Sequence, residues 1–133
     1  MNMGKLVAIS VPWWLVFTEV ANALPLQPGS YSWGSKYIQI AKKGDRFCYQ
    51  GFSARATLIA SLSPHPKYPN LHQIAGSKEM VVRQDSPDQL SYGSVNHLLP
   101  YPRDRQFGSE LTAEMKQCLN AQKPYYKQKT STR

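Results

Sequence analysis

The sequence lacks the short motifs that usually identify an enzyme. It has no G-x-S-x-G nucleophile elbow and no glycine-rich loop that could hold a phosphate. Its three histidines, His65, His72 and His97, do not have the His-x-x-x-His or Cys/His spacing of a metal site. Acidic residues are few, 8 against 16 Lys and Arg, so paired carboxylates for glycoside hydrolysis are poorly supplied. We therefore predict no metal, no cofactor and no catalytic residue, and an enzyme is the weaker class of function.

One catalytic alternative can still be assembled from the sequence. A small hydrolase or isomerase could use His97 with Asp104 as an acid–base pair, provided that the fold brings both side chains to one cavity. Separate exposed positions for the two residues would exclude it.

The sequence also lacks an apolar run long enough to cross a bilayer. The longest run, residues 6–17, has 12 residues and contains Pro12. It follows Lys5 and precedes Ala21-Asn22-Ala23, which is the layout of a secretory signal peptide with an A-x-A cleavage site. We predict that residues 1–23 are a signal peptide and that the protein is exported. An uncleaved membrane anchor is the alternative.

Cysteine is scarce, since the chain contains only Cys48 and Cys118. Two cysteines in an exported chain argue for one disulfide bond. Such a bond would close a loop of 71 residues, counting both cysteines. Loop closure of this size stabilises a fold by about 4 kcal/mol on the chain-entropy model. Two free thiols remain the alternative if the chain is not exported.

The clearest β pattern in the chain is a hairpin over residues 36–53. Ile38 and Ile40 alternate with their neighbours, as in a strand with one buried face. Residues 42–45 form the turn, in which Gly44 can supply the positive φ of a bulged hairpin loop. The second strand is predicted to direct Phe47 and Tyr49 to one face, and Arg46, Cys48 and Gln50 to the other.

Residues 54–62 predict a further regular strand, because they have period two and lie between turn signals. One face of this strand would carry Ala54, Ala56, Leu58, Ala60 and Leu62. Shorter strand candidates follow at residues 71–75, 79–84 and 89–95, whereas the proline-containing residues 63–70 and 96–108 are predicted loops.

One helix is predicted near the C-terminus. Ser109 is a good N-cap, and Pro124 should end the helix by about Lys123. An apolar stripe at i, i+4, i+7 and i+8 consists of Leu111, Met115, Cys118 and Leu119. The stripe directs Cys118 inward, where a strand can meet it.

These patterns predict an α+β fold in a single domain, residues 24–123. It consists of a curled antiparallel β-sheet or small β-barrel of five to seven strands, with one C-terminal helix and one disulfide. Residues 124–133 are predicted to be a flexible basic tail.

The charge balance favours an anionic partner. The net charge is +8, and it stays at +8 after removal of residues 1–23, which contain one basic and one acidic residue. Basic side chains interleaved with aromatic rings suit anionic or ring-bearing polymers. The predicted binding residues are Trp33, Lys36, Tyr37, Lys42, Lys43, Arg46, Tyr49 and Arg55.

The leading functional hypothesis is therefore a non-enzymatic envelope protein. Its partner would be an anionic polysaccharide, an anionic lipid surface or an acidic envelope protein, while export disfavours nucleic acid. Core packing of the tyrosines, and lysines that guard a sheet edge, are the structural alternative. A carrier of a small apolar ligand is a further possibility, favoured by an internal pocket lined by the even-numbered residues of the 54–62 strand.

Two segments of the chain resemble a known group of proteins. They are GDRFCYQGFSARATLIASLSP, residues 44–64, and MKQCLNAQKPYYKQ, residues 115–128. Both resemble small exported cyanobacterial proteins of unknown function. The resemblance implies a periplasmic or thylakoid-lumen location and a Cys48–Cys118 bond, and it implies no activity.

Overall fold

The computed structural model describes residues 24–52, 56–106 and 110–130. The predicted signal peptide lies outside the described residues. The strands are β1 Gly29–Trp33, β2 Lys36–Lys43, β3 Arg46–Phe52, β4 Ala56–Pro64, β5 His72–Ile74, β6 Met80–Ser86, β7 Gln89–Ser94, β8 His97–Pro102 and β9 Tyr126–Thr130, and the helix is α1 Ala113–Asn120. No helix in these ranges is long and apolar enough to cross a lipid bilayer.

The strands form one antiparallel sheet that nearly closes into a barrel. Each strand from β1 to β8 pairs with the next, and a bridge between Tyr31 and Arg103 brings the end of β8 back to β1. The antiparallel sheet, the C-terminal helix and the disulfide are as predicted. The predicted number of five to seven strands is wrong, since the described residues form nine.

The inner face of the barrel is the main hydrophobic core. Alternation along β2, β3 and β4 places Ile38, Ile40, Tyr49 and Ala60 in this core, where they meet Val82 and Leu90 from the opposite side of the barrel. The even-numbered face predicted for residues 54–62 thus faces inward. Arg55 and Ala54 lie outside the described residues.

A second, smaller core lies on the outer face of β2, β3 and β4. There Ala41, Cys48 and Ile59 are buried by the helix residues Met115, Cys118 and Leu119. Met115, Cys118 and Leu119 of the predicted stripe are buried on the helix, whereas Leu111 precedes the helix and packs against the same core. The two cysteines form a disulfide across this interface. Strands β2–β4 are therefore covered on both faces.

Helix α1 is shorter than predicted. Its N-cap is Thr112, whose hydroxyl accepts a hydrogen bond from the backbone N–H of Met115. Ser109, the predicted N-cap, lies outside the described residues, and the helix ends at Asn120 rather than near Lys123. The Arg46 guanidinium donates to the carbonyl oxygens of Cys118 and Lys123, both at 2.6 Å. These hydrogen bonds fix the end of the helix and the segment that follows it.

Strand β8 lies in a segment predicted to be a loop. It pairs with β7 from Ser94 opposite His97 to Gln89 opposite Pro102. Proline lacks the N–H that a central strand needs, but the described part of β8 forms a ladder only with β7, and its backbone pairing toward β1 is limited to the bridge between Tyr31 and Arg103. Prolines at positions 100 and 102 therefore disrupt no second ladder.

Strand β9 lies in the segment predicted to be a flexible tail. It pairs with β4 from Ala60 opposite Tyr126 to Ala56 opposite Thr130. All five of its side chains are exposed, so no apolar alternation indicated a strand. Backbone hydrogen bonds to β4 place this segment, and these are not visible in a hydrophobicity pattern.

Two positions show why particular glycines are needed. Gly44 adopts φ of 60° in the β2–β3 turn, as the hairpin pattern predicted. Gly29 lies beside the barrel seam, where a Cβ atom would come within 2.0 Å of the Arg103 guanidinium. That guanidinium donates to the Pro87 carbonyl at 2.7 Å and to the Tyr31 hydroxyl at 3.1 Å. Arg103 thus closes the barrel between β8 and β1.

Removing the disulfide should strongly destabilise the fold. We expect the double variant Cys48→Ala/Cys118→Ala to lose about 4 kcal/mol of unfolding free energy, because the unfolded chain regains the entropy of a long loop. Urea denaturation followed by circular dichroism measures this loss. Wild-type protein in reductant is the matched control and should show a similar loss, whereas an unchanged urea midpoint would contradict the prediction.

Candidate ligand-binding site at the barrel mouth

An open cavity of about 220 Å³ lies at one end of the barrel interior. Its wall consists mainly of aromatic and aliphatic side chains from β2, β3, β4, β7 and β8. The lining residues are Lys36, Tyr37, Ile38, Tyr49, Gly51, Phe52, Ala56, Leu58, Tyr92 and Tyr101. We call this cavity the mouth.

Strand alternation and register explain why the wall is continuous. On β3, Tyr49 and Gly51 are two residues apart and share the inner face. Gly51 lies opposite Leu58 of β4, and Tyr92 of β7 faces the same interior. The pairing of neighbouring strands therefore brings side chains from distant parts of the sequence into one wall.

Three tyrosine rings form the centre of this wall. Tyr49 stacks on Tyr92 with ring centroids 5.7 Å apart, and Tyr92 meets Tyr101 edge-on at 5.9 Å. Trp33 extends the series to the rim, since its ring centroid is 6.2 Å from that of Tyr101. Offset and edge-on geometries are those that aromatic quadrupoles favour.

Gly51 makes room for the tyrosine wall. A Cβ atom at this position would be 2.3 Å from the hydroxyl oxygen and 2.8 Å from the adjoining ring carbon of Tyr49. Tyr49 therefore extends along β3 over the bare backbone of Gly51. Any side chain at position 51 would displace Tyr49 and change the shape of the mouth.

The mouth is uncharged apart from its rim. Burial raises the pKa of the Tyr49 hydroxyl well above the usual 10.0, and the neighbouring Tyr92 and Tyr101 raise it further. Burial also raises the pKa of Tyr101, with a smaller contribution from Tyr92. These phenols are therefore neutral at physiological pH, and can donate or accept hydrogen bonds without carrying charge.

Lys36 is the one charged side chain among the residues that line the mouth. It is exposed, and its ammonium nitrogen lies 6.0 Å from the centre of the Trp33 ring, which is 45% exposed. The rim thus combines a positive charge with an aromatic surface. A ligand with an apolar ring and an anionic group would meet complementary groups here.

The structure divides the predicted binding residues between two places. Lys36, Tyr37 and Tyr49 line the mouth, and Trp33 lies beside it in contact with Tyr101. Lys42, Lys43 and Arg46 lie at the other end of the β2–β3 hairpin, roughly 20 Å away along the strands. Arg55 lies outside the described residues.

The three basic residues at the far end contact the protein itself. Arg46 binds carbonyl oxygens at the end of α1, and the Lys43 ammonium group donates to the side-chain oxygen of Asn120. The Lys42 ammonium nitrogen lies 5.5 Å from the centre of the Phe47 ring. These contacts hold the hairpin and the helix together.

Sequence reasoning missed Tyr92 and Tyr101 as site residues. Tyr92 is two residues after Leu90 in a predicted strand, so both side chains share a face. The inward direction of Tyr92 could therefore have been inferred from period two. Tyr101 lies in the segment predicted to be a loop, and only its pairing with Leu90 on β7 directs it into the barrel. No local pattern indicated that role.

The proposed acid–base pair is not assembled. His97 begins β8 and is exposed, whereas Asp104 lies beyond the other end of that strand, where its backbone N–H donates to the Ser30 carbonyl. The two residues are seven positions apart in extended chain, which separates them by roughly 20 Å. Within the described ranges, no three His, Cys, Asp or Glu side chains lie together as metal ligands would.

Comparison with family models, curated proteins and solved structures found no match to this chain. The resemblance of residues 44–64 and 115–128 to exported cyanobacterial proteins therefore stays a prediction. Function has to be inferred from the geometry of the chain itself.

Stability should fall in alkaline solution because of the buried tyrosines. Unfolded tyrosines ionise near their usual pKa of 10.0, whereas folded Tyr49 keeps its proton to higher pH. This contribution to stability is complete below the unfolded pKa and is lost as pH rises through the folded pKa. We expect the urea midpoint of Tyr49→Phe to decline less steeply between about pH 9 and 11 than that of wild type. Parallel declines would contradict this assignment.

Proposed function

We propose that this chain is an exported, non-enzymatic protein that binds a small ring-bearing ligand at the mouth. The observation that supports the proposal is the open cavity walled by Tyr49, Tyr92, Tyr101 and Leu58. A concave, largely apolar site with a few polar groups is the usual form of a small-molecule site. The presence of Ala56 and Leu58 in the wall favours the carrier alternative among the sequence-based hypotheses.

The size of the mouth limits the ligand. The cavity is about 220 Å³, below the range of drug-sized pockets. The deeper half of the barrel is filled by Ile40, Ala60, Leu62 and Leu90, all buried in the core. The fitting ligand is therefore a molecule of one or two rings, and not a long acyl chain enclosed along the whole barrel.

The chemistry of the wall indicates how such a ligand would bind. Its ring would pack against the tyrosines, and the phenolic hydroxyls would satisfy a polar substituent. An anionic substituent would lie at the rim, beside the Lys36 ammonium group. Trp33, Lys36 and Tyr37 thus keep their predicted roles in binding an anion and a ring. The proposed ligand is a small molecule instead of a polymer.

Two matched fluorescent probes test the proposal. Naphthalene-2-sulfonate carries a negative charge on two fused rings, while naphthalene-2-sulfonamide has a similar shape without the charge. We expect Lys36→Gln to lower the affinity for the sulfonate probe by about fivefold, which is the effect of losing one exposed charge pair. The affinity for the neutral probe should not change. Leu58→Trp should lower the affinity for both probes by about tenfold or more, because the indole fills the cavity.

Lys42→Gln is the matched control, since it removes the same charge from β2 at the end away from the mouth. Its affinity for both probes should equal that of wild type, and circular dichroism should show that every variant is folded. Equal weakening by Lys42→Gln and Lys36→Gln would mean that the probe responds only to net charge. Binding unaffected by Leu58→Trp would place the probe elsewhere and overturn the proposal.

The disulfide supports a location outside the cytoplasm. A disulfide bond indicates an oxidising, non-cytoplasmic compartment. We propose that residues 1–23 direct export and are removed, so that the protein acts in the periplasm, a thylakoid lumen or the extracellular space.

The intact mass of protein isolated from its native cells tests the export step. We expect a mass that begins at Leu24, with both thiols protected from alkylation until the protein is reduced. Alkylation after reduction should add two labels, which controls for reagent access. A full-length mass with two free thiols would contradict the export proposal.

A further inference from the structure

Strand β9 forms an open edge of the sheet. Within the described ranges, its backbone pairs with β4 alone, from Ala60 opposite Tyr126 to Ala56 opposite Thr130. Beside the other half of β4 lies β5, which pairs onward with β6. Strand β5 and the strands after it thus continue the barrel, whereas β9 ends a branch of the sheet. We call its side away from β4 the β9 edge.

Backbone groups of alternate residues face the β9 edge. The N–H of Ser61 donates to the carbonyl of Tyr125 at 2.9 Å, just before β9 begins. Since successive residues of an antiparallel ladder point their N–H and C=O groups to opposite sides, Lys127 and Lys129 bond to β4. The N–H and C=O groups of Gln128 and Thr130 therefore point outward, where no described strand pairs with them. An extended chain is the partner whose donors and acceptors repeat at the same spacing.

The β9 edge is short and accessible. All five side chains of β9 are exposed. At one end, the ring of Tyr126 crosses the bare backbone of Gly76, where a Cβ atom would lie 2.2 Å from a ring carbon. The turn after β5 therefore limits the edge at that end. The open stretch is residues 127–130, which suits a short extended peptide.

The side chains on the outer face of β9 are basic. Lys127 and Lys129 lie opposite Ile59 and Thr57 of β4, so they share the face of the sheet that α1 covers. Glu114 of α1 accepts a hydrogen bond from the Lys129 ammonium group at 3.0 Å, which holds the pKa of this carboxyl below its usual value. Lys127 forms no ion pair within the described residues. One carboxylate beside two ammonium groups leaves this face with an excess of positive charge.

This charge selects which chain can pair with the β9 edge. In an antiparallel pair, the residues that share no hydrogen bonds bring their side chains closest together, and Lys127 and Lys129 are such residues on this edge. A second copy with Gln128 opposite Gln128 would place Lys127 against the Lys129 of that copy, and like charges directly opposite are destabilising. Carboxylates two residues apart on an incoming strand would face both ammonium groups instead. The lysines thus oppose self-pairing and favour an acidic strand.

We propose that the β9 edge binds an extended acidic segment of a partner protein as an added antiparallel strand. Backbone hydrogen bonds to Gln128 and Thr130 would attach the segment, and acidic residues at positions i and i+2 would pair with Lys127 and Lys129. The antiparallel direction is that of every strand pairing in the described sheet. This contact uses no residue that lines the mouth, so the two proposals can fail separately.

Fluorescence polarisation with labelled peptides tests this inference on the disulfide-bonded protein. The reference peptide has about six residues in which valine and glutamate alternate. We expect it to bind about fivefold more tightly than a peptide of the same composition with the glutamates grouped, because only alternation places the carboxylates on one face. The corresponding peptide of valine and lysine should show no binding, because its charges repel those of the edge.

Two N-methylated forms of the reference peptide distinguish strand pairing from charge attraction. Methylation of a central valine removes an N–H that would donate to β9, and should lower the affinity by about tenfold or more. Methylation of a central glutamate removes an N–H that points away from β9, and should change the affinity by less than about twofold. Equal losses with the two peptides would contradict strand pairing.

Three variants locate the contact. Gln128→Pro should lower the affinity for the reference peptide by about tenfold or more, because proline lacks the outward N–H. The β4 ladder should persist, since it uses the N–H groups of Lys127 and Lys129. Lys127→Gln should lower the affinity by about threefold, which is the effect of losing one exposed charge pair. Lys42→Gln is the matched control, because it removes the same charge from β2, three strands away in the sheet, and should bind like wild type.

Amide-proton exchange shows where the peptide lies without any substitution. We expect the Gln128 amide proton to exchange fast in the free protein and slowly once the reference peptide is bound. The amide protons of Lys127 and Lys129 should exchange slowly in both states, because they donate to β4. Unchanged exchange at Gln128 in the bound state would place the peptide elsewhere and overturn the inference.

Two further outcomes would also overturn it. Equal losses in Lys127→Gln and Lys42→Gln would indicate diffuse attraction by net charge. A dimer of the protein alone that Gln128→Pro abolishes would assign the β9 edge to a second copy. The Lys36→Gln variant should bind the reference peptide like wild type, which separates failure here from failure at the mouth.

Discussion

The disulfide between Cys48 and Cys118 is the constraint on which the rest of the structure depends. It joins the outer face of β3 to an eight-residue helix that is too short to be stable alone. Once fixed, the helix buries Ala41 and Ile59 and directs the following chain back to β4. Strand β9 follows in that segment and pairs with β4. One covalent bond therefore positions the helix and the surface built from the segment after it.

The barrel interior serves two purposes at its two ends. Aliphatic side chains such as Ile40 and Leu90 fill one end and provide the main core. At the other end, tyrosines replace them, the bare backbone of Gly51 makes room for the Tyr49 ring, and the interior stays open beside Ala56. The tyrosine rings keep their positions in the wall and do not fill the cavity, because each ring packs on another. A stable core and an open mouth can thus coexist in a small domain.

The excess of positive charge is distributed by the fold into distinct roles. Arg46 and Lys43 stabilise the end of α1, and Arg103 closes the seam between β8 and β1. Lys36 and Lys123 are exposed, Lys36 at the mouth and Lys123 in the segment after α1. A net charge of +8 therefore does not describe one continuous basic surface. It combines structural contacts with exposed lysines at separate places on the described surface, such as Lys36, Lys78 and Lys116.

The sequence by itself determined the elements whose patterns are local. Alternation predicted the hairpin around Gly44, and the apolar stripe ending at Leu119 predicted the helix, because burial on one face repeats with the period of each element. The tertiary structure alone decided what depends on distant backbone pairing. Strand β9 has no buried side chain, and Tyr101 faces the barrel only through its pairing with β7. Hydrogen bonds between backbones are nearly independent of side-chain identity, so no hydrophobic period could reveal β9 or the inward direction of Tyr101 at the mouth.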